Sequence, residues 1–320
     1  MRVLFCESCG APLDAPWTEI VLVCPHCGAQ NAPGRLIGQV ISSTPNDGRP
    51  RLNLNGRTYV LEGQLAQGDS ANVYKARWAM RLGEAVVIKV QRAEADTDLL
   101  RREYEALKRL TEASDPATTH FATRLPEPIA IGTRAIAGRD RLVTAYAWRS
   151  GFQLSLETIH AQHATQGLSG RVLVWVYKRL LEQLVWMHRN GVVHNALTPS
   201  HILVHPKNHG AMMVGFTLSG KVGETVRGQA HAWRGAFKSA PPSGTPSRDI
   251  AMAAWSVLWA GGAGFGSKQT TLPPTFRAAL IRAANGHYSD AQAHLSQINT
   301  AAKHDYGPGK YSPIDIDGWH

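Results

Sequence analysis

Between residues 57 and 147 the apolar positions fall in short runs rich in β-branched and aromatic side chains. Stretches 59–61, 72–78, 85–90 and 141–146 have the composition of strands. Stretch 98–111 differs, because Leu99, Leu100, Tyr104, Leu107 and Leu110 recur at the spacing of one helix face. Beyond Trp148 the pattern becomes mostly helical, over 170–189, 250–260, 275–284 and 290–300. The longest uncharged, mostly apolar stretch, 250–267, is diluted by Gly261, Gly262, Gly264 and Gly266. Its apolar part is short for a membrane span, and a buried helix ending in a glycine-rich turn accounts for it better. The order predicts an α+β chain: a small sheet-rich part with one helix, then a larger helical part. There is no internal repeat.

Turn formers punctuate the ends of this pattern. Ser42-Ser43-Thr44-Pro45-Asn46-Asp47-Gly48 marks 36–56 as a linker, with room for a short strand at 36–41. Gly307-Pro308-Gly309 and Ser312-Pro313 mark 302–320 as an irregular tail. Within it, 313–319 alternates apolar with acidic residues before Trp319. Such a segment suits a partner's sheet edge or pocket; the plainer reading leaves it packed on its own helical part or disordered.

All four cysteines lie near the start, as Cys6-x2-Cys9 and Cys24-x2-Cys27. Gly10 and Gly28 follow each pair, where a tight knuckle needs a permissive backbone. Four thiolates at this spacing make a closed tetrahedral site for structural zinc. Two disulfides are the competing reading, and the lack of a secretory segment disfavours them. Residues 1–35 thus resemble a zinc ribbon. So small a unit has little core, and metal binding worth on the order of 10–16 kcal/mol would stabilise it.

With 43% hydrophobic and 18% charged residues, the composition argues against disorder. The formal charge of +10 suits an anionic partner or an inert basic surface. It does not come from residues 1–35, where two arginines face three acids for a net charge of −1. Nucleic acid is therefore not expected at the ribbon. With no membrane span or targeting segment read, the expected location is the cytoplasm.

Residues 194–204, His-Asn-Ala-Leu-Thr-Pro-Ser-His-Ile-Leu-Val, resemble the catalytic loop of a protein kinase, H-R-D-L-K-P-x-N-I-L-V. Leu197, Pro199, Ile202, Leu203 and Val204 keep its apolar frame. Ala196 replaces the catalytic Asp, Thr198 the loop Lys, and His201 the metal-binding Asn. Further motifs follow in the kinase order over about 57–300. Residues 65–74 are similar to the glycine-rich loop, keeping only Gly68 of its three glycines. Val86-Val87-Ile88-Lys89 looks like the strand whose lysine holds the nucleotide phosphates, and Glu103 matches its helix partner. A brace between sheet and helix is the structural reading of that pair. Gly215-Phe216-Thr217 stands where D-F-G is expected, so the magnesium-binding Asp is also replaced. Ala240-Pro241-Pro242 resembles A-P-E without its Glu, and His287 stands at the position of that Glu's Arg. Asp249 matches the acidic residue that anchors the catalytic-loop backbone. Leu107, His194 and Phe216 match the apolar spine.

The resemblance implies a two-lobed kinase-like fold: an N-lobe over 57–147 and a helical C-lobe over 148–301, preceded by the ribbon. It implies a nucleotide pocket drawn from Gly68, Val73, Val87, Lys89, Glu103, Thr144 and Leu203. ATP binding is left open, and magnesium-dependent binding is not expected, because both ligand positions are changed. With Ala196, Thr198, His201 and Gly215 at the polar positions, the expectation is a pseudokinase. It would have no enzymatic activity and would act as a signalling scaffold or allosteric regulator for a protein partner. The alternative is an enzyme using Lys89 and Glu103 for residual or unconventional phosphoryl or nucleotidyl transfer.

Overall fold

Two short hairpins open the chain: β1 (Arg2–Phe5) pairs antiparallel with β2 (Pro12–Ala15), and β3 (Leu22–Val23) with β4 (Gln30–Asn31). In sequence, one cysteine pair falls between the strands of each hairpin. The computed structural model describes residues 2–5, 12–15, 22–23, 30–31, 49–162, 167–228, 243–262 and 270–314. Cys6, Cys9, Cys24 and Cys27 lie outside the described residues. So do the expected strand at 36–41, the Ala240-Pro241-Pro242 motif and Trp319.

The chain divides into two compact units. One comprises Met1–Leu100 with Pro128–Trp148, the other Arg101–Glu127 with Arg149–His320. The first carries a six-stranded antiparallel sheet of β5 (Arg51–Leu54), β6 (Arg57–Gln67), β7 (Ala71–Trp78), β8 (Arg81–Gln91), β9 (Pro128–Ile136) and β10 (Arg139–Ala147). Their spatial order is β5-β6-β7-β8-β10-β9. Alternation sends Tyr74, Ala76, Val86, Ile88, Val143 and Ala145 into one core. The residues between them, including Val73, Val87, Lys89 and Thr144, share the opposite face.

Two of these strands escaped the apolar pattern. β5 lies inside the stretch read as a linker, yet Leu52 and Leu54 are buried in the sheet core. Asn55 (φ 50°) and Gly56 (φ 78°) form the two-residue turn that returns the chain into β6. Positive φ at both positions matches the twist of a tight hairpin, and Asn-Gly suits it best. β9 is joined to β10 by Ala137 (φ 52°) and Gly138 (φ 74°) in the same way. Its interior Gly132 leaves room for the β5–β6 turn: a Cβ there would meet Asn55 Oδ1 and Leu54 Cδ1 at 3.1 Å. Asn55 Nδ2 donates to the Ile131 carbonyl at 3.1 Å.

α1 (Thr97–Thr111) begins in the first unit and continues into the second, which is mostly helical. Its other helices are α2 (Thr118–Phe121), α3 (Leu156–Gln162), α4 (Gly170–Arg189), α5 (Pro246–Ala260), α6 (Pro274–Ala284) and α7 (Ala291–Tyr306). Short strands β11 (Leu154–Ser155), β13 (Ile202–His205) and β14 (Gly210–Met213) form one sheet. β12 (Val192–Val193) pairs with β15 (Gly220–Lys221). α4 is central, burying Leu173, Val176, Leu180, Leu184 and Trp186 and packing on α5, α7 and β14.

α5 starts four residues before the apolar pattern does. The Thr245 side chain accepts the Arg248 N–H at 3.2 Å, and Pro246 occupies the first turn, where no N–H is needed. α7 is capped by Asp290 Oδ1, which accepts from Gln292 and Ala293, and runs to Tyr306 before Gly307 (φ 69°) ends it. The first part of the expected irregular tail is therefore helix. Among the described residues, no helix is long and apolar enough to cross a membrane.

Candidate functional site

The loop between β12 and β13 is shaped from beneath by one carboxylate. Asp249, in the first turn of α5, is fully buried. Its Oδ2 accepts the backbone N–H of His194 at 2.8 Å and its Oδ1 that of Asn195 at 2.7 Å. His188, near the end of α4, donates from Nε2 to Oδ2 at 3.0 Å. Burial pushes the Asp249 carboxyl up, but the His188 hydrogen bond and charge, with the His194 contacts, hold it below the usual carboxylate value. The position in α5 adds favourable helix-end dipoles.

Above this anchor the loop is closed by its own groups. The Ala196 N–H donates to His194 Nδ1 at 3.2 Å, so the ring proton sits on Nε2, which lies 3.0 Å from the Val214 carbonyl. The His194 ring packs on Phe216, centroids 4.3 Å apart. Asn195 has φ 63°, a conformation that Asn tolerates better than most residues, and its Nδ2 donates to the Leu218 carbonyl at 3.0 Å. Ser256 of α5 donates to the Leu197 carbonyl at 2.8 Å. Thr198 is buried, with its hydroxyl 2.9 Å from that of Ser200.

His201 and Gly215 form one packed unit. His201 Nδ1 donates to the Ala196 carbonyl at 2.6 Å, and the His201 carbonyl accepts the Val214 N–H at 2.9 Å. Gly215 has φ 77°, and a Cβ there would meet three atoms of the His201 ring at 2.5 to 2.8 Å. The imidazole thus covers the place where a side chain at 215 would begin. This matters for the magnesium that the resemblance implies. Magnesium requires hard oxygen donors in near-octahedral array, and these two positions supply an imidazole and no side chain. The residues present do not fit it. Among the described residues, no group of three or more His, Cys, Asp or Glu side chains could hold a metal ion.

The structure brings Ala196, Thr198, His201 and Gly215 together in the second unit. Leu203 follows on β13, half-buried and paired with Met212 and Ser155. In the first unit, Val73, Lys89 and Thr144 stand side by side across β7, β8 and β10, with Val87 two residues along the same face. The Lys89 ammonium lies 5.8 Å from the Tyr146 ring centroid. Gly68 closes the β6–β7 turn: its N–H donates to Ala71 and its carbonyl accepts from Arg92 Nη1 at 2.9 Å. Glu103 is on α1 and fully buried. The neighbouring Arg102 pairs with Glu224 at 2.6 Å. A backbone bond from Lys221, then the Arg102 bond, lowers that carboxyl below its ordinary pKa. The motif reading missed His188, Asn195 and Ser256. Only His188 carried a signal, as a titratable side chain in the last turn of the long helix.

No family model matches the sequence. A protein of Bifidobacterium longum, named as a probable serine/threonine-protein kinase, is 29% identical over 166 residues, 51% of this chain. The chain spans only 20% of that relative's length. Among solved structures, the kinase domain of a Toxoplasma gondii rhoptry antigen superposes with TM-score 0.57 at 16% identity, covering 82% of this chain and 89% of that one. The BubR1 kinase domain gives 0.58 at 13%, covering 84% and 87%. A rhoptry kinase from Toxoplasma gondii gives 0.55 at 17%, covering 76% and 79%. The chain has a protein kinase-like fold, with a sheet-rich N-lobe and a helical C-lobe.

These findings correct one expectation. The loop substitutions led to a chain without enzymatic activity, whereas the relative is named a probable serine/threonine-protein kinase, which points to an enzyme. The physical reason is that phosphoryl transfer depends mostly on positioning. The absence of a carboxylate at 196 and 215 bears on one route of transfer and leaves the frame in place.

Two outcomes test the site. Asp249→Asn should cost about 3 kcal/mol of stability at neutral pH in chemical denaturation, because buried donors lose a charged acceptor. Asp249's folded pKa is depressed, so its contribution is present above the ordinary carboxylate value, about 3.9, and lost as pH falls through the lower folded value. The gap between wild type and variant should narrow in that acidic window, and a gap undiminished through it would refute the assignment. Gly215→Asp alone should destabilise by about 2 kcal/mol through overpacking against His201. Combined with His201→Ala, a double-mutant cycle should show a compensating coupling of about 1 kcal/mol or more, and simple additivity would contradict the packed unit.

Proposed function

We propose that the chain is a nucleotide-binding protein of kinase-like fold that carries out a slow phosphoryl or nucleotidyl transfer using Lys89 and Glu103. The observation that supports this best is the row Val73–Lys89–Thr144. A lysine is kept between an aliphatic and a hydroxyl side chain, on the sheet face that does not line the sheet's own core. An ammonium held among such neighbours serves as a point charge for phosphate oxygens. Glu103, the other half of the motif pair, is fully buried, a placement that costs a carboxylate several kcal/mol unless it is compensated. Without a carboxylate at 196, the general-base contribution of roughly 10²–10⁴ is missing, so turnover is slow. The nucleotide binds without the usual magnesium ligands.

Purified protein incubated with γ-labelled or α-labelled ATP should incorporate label from one of them, distinguishing phosphoryl from nucleotidyl transfer. Lys89→Ala should lower both nucleotide binding and labelling by about tenfold or more. Absence of label from both nucleotides, with no ATP-induced thermal shift, would sink this reading.

The rest of the proposal concerns surroundings. The donor set Cys6, Cys9, Cys24 and Cys27 suits one structural zinc, and the placement of each pair between two pairing strands supports a knuckle arrangement. Elemental analysis should find one zinc per chain, and Cys24→Ser should abolish it; a metal content near zero in freshly purified protein would be incompatible. The kinase-like body also docks a protein partner in signalling, with nucleic acid disfavoured by the net charge of −1 over residues 1–35. The cytoplasm suits four reduced thiolates.

A further inference from the structure

A cavity of about 370 Å³ opens between α4 and α7 in the second unit. Five cations line it: Arg171, Lys178 and Arg179 from α4, Lys303 from α7, and Lys310 from the segment that follows. No acidic residue is among its lining residues. On α4 the lining positions recur at helical spacing, so they form one stripe, and the packing of α4 on α7 brings Lys303 to face it. Lys178, Lys303 and Lys310 have no ion-pair partner among the described residues. Only Arg179 has one, Glu182 at 2.6 Å.

The walls are held in place. The Trp175 ring stacks on His209 (4.5 Å, 7°), and His209 stacks on Tyr311 (4.4 Å, 6°). Trp175 Nε1 donates to the Ser312 carbonyl at 3.0 Å, which pins the segment at the rim. The Arg171 guanidinium lies over the Tyr306 ring, 4.6 Å from its centroid, and is thereby oriented before any ligand arrives. Burial pushes the His209 imidazole pKa down, and the Arg179 charge pushes it the same way against the Ser312 bond. The positive potential here is felt by a neighbouring side chain.

Like charges gathered around one cavity repel each other, and an anion relieves that repulsion. The absence of lining carboxylates sets the sign of the ligand, and the volume sets its scale at the low end of small-molecule sites. We propose that this cavity binds a small ligand carrying two or more phosphate groups. The cations line the cavity from α4, from α7 and from the segment directly after it, which suits several phosphates better than one. Arg171 supplies the planar, bidentate donor and the lysines supply point charges. Inorganic polyphosphate and a free nucleotide offer the same chemistry. The cavity is in the second unit, whereas Lys89 is in the first.

Calorimetric titration of the full chain with inorganic tripolyphosphate tests this, with ATP as a second arm. Tripolyphosphate should bind the wild type and the Lys89→Ala variant with affinities within about twofold of each other. Lys178→Ala combined with Lys303→Ala should weaken it by about tenfold or more, with an unchanged melting temperature. Lys178→Arg with Lys303→Arg should restore it, which a loss through misfolding would not explain. ATP retained by the Lys89→Ala variant but lost with the double alanine variant would assign the nucleotide as the source. Tripolyphosphate bound no better than sulfate at the same concentration, or equally by wild type and the double alanine variant, would overturn the proposal.

Discussion

A carboxylate without access to water has to be surrounded by donors, and Asp249 is surrounded by three. Two are backbone N–H groups of consecutive loop residues and the third is the His188 ring. Because the loop is held through its backbone, its path does not depend on the side chains at 196, 198 or 201. That separation explains how the apolar frame of a kinase-like loop persists with different chemistry on top. It also links three elements, α4, α5 and the loop, through one buried charge whose removal would leave several donors unsatisfied together.

The altered positions are not independent of one another. His201 donates to the Ala196 carbonyl, and its ring fills the space where a Cβ at 215 would stand, so the occupants of 201 and 215 are matched in volume. An imidazole in that space conflicts with a side chain at 215, so the two positions that the motif resemblance matches to metal ligands are sterically coupled. In the proposed reading, nucleotide is positioned without a hard-metal ligand at 201 or 215. The proposed reaction accordingly rests on Lys89 and Glu103.

Charge is distributed to match. Residues 36–320 carry a net charge of +11, that is +10 for the whole chain less −1 for residues 1–35, and part of it converges on the cavity between α4 and α7. Arg171, Lys178 and Lys303 look like ordinary solvent-facing residues of amphipathic helices when read one helix at a time. They become a site only because α4 packs beside α7.

Local rules were legible from the chain. Helical spacing located α1 and α4, strand composition located β6, β7, β8 and β10, and the motif 194–204 located the loop and its kinase-like frame. Asn55-Gly56 was a readable hairpin signal, and it was lost because the turn formers just before it suggested a linker. β9 carried little signal: its interior glycine weakens a strand pattern, and that residue is explained only by the β5–β6 turn pressing against it. Near neighbours determine periodicity, capping and turn chemistry, so such features can be read residue by residue. The pairing of His188 with Asp249, the seating of His201 over Gly215 and the gathering of cations between α4 and α7 join residues brought together only by packing. Those arrangements were decided by the tertiary structure, because the free energy of a buried charge or a filled volume depends on what surrounds it in space.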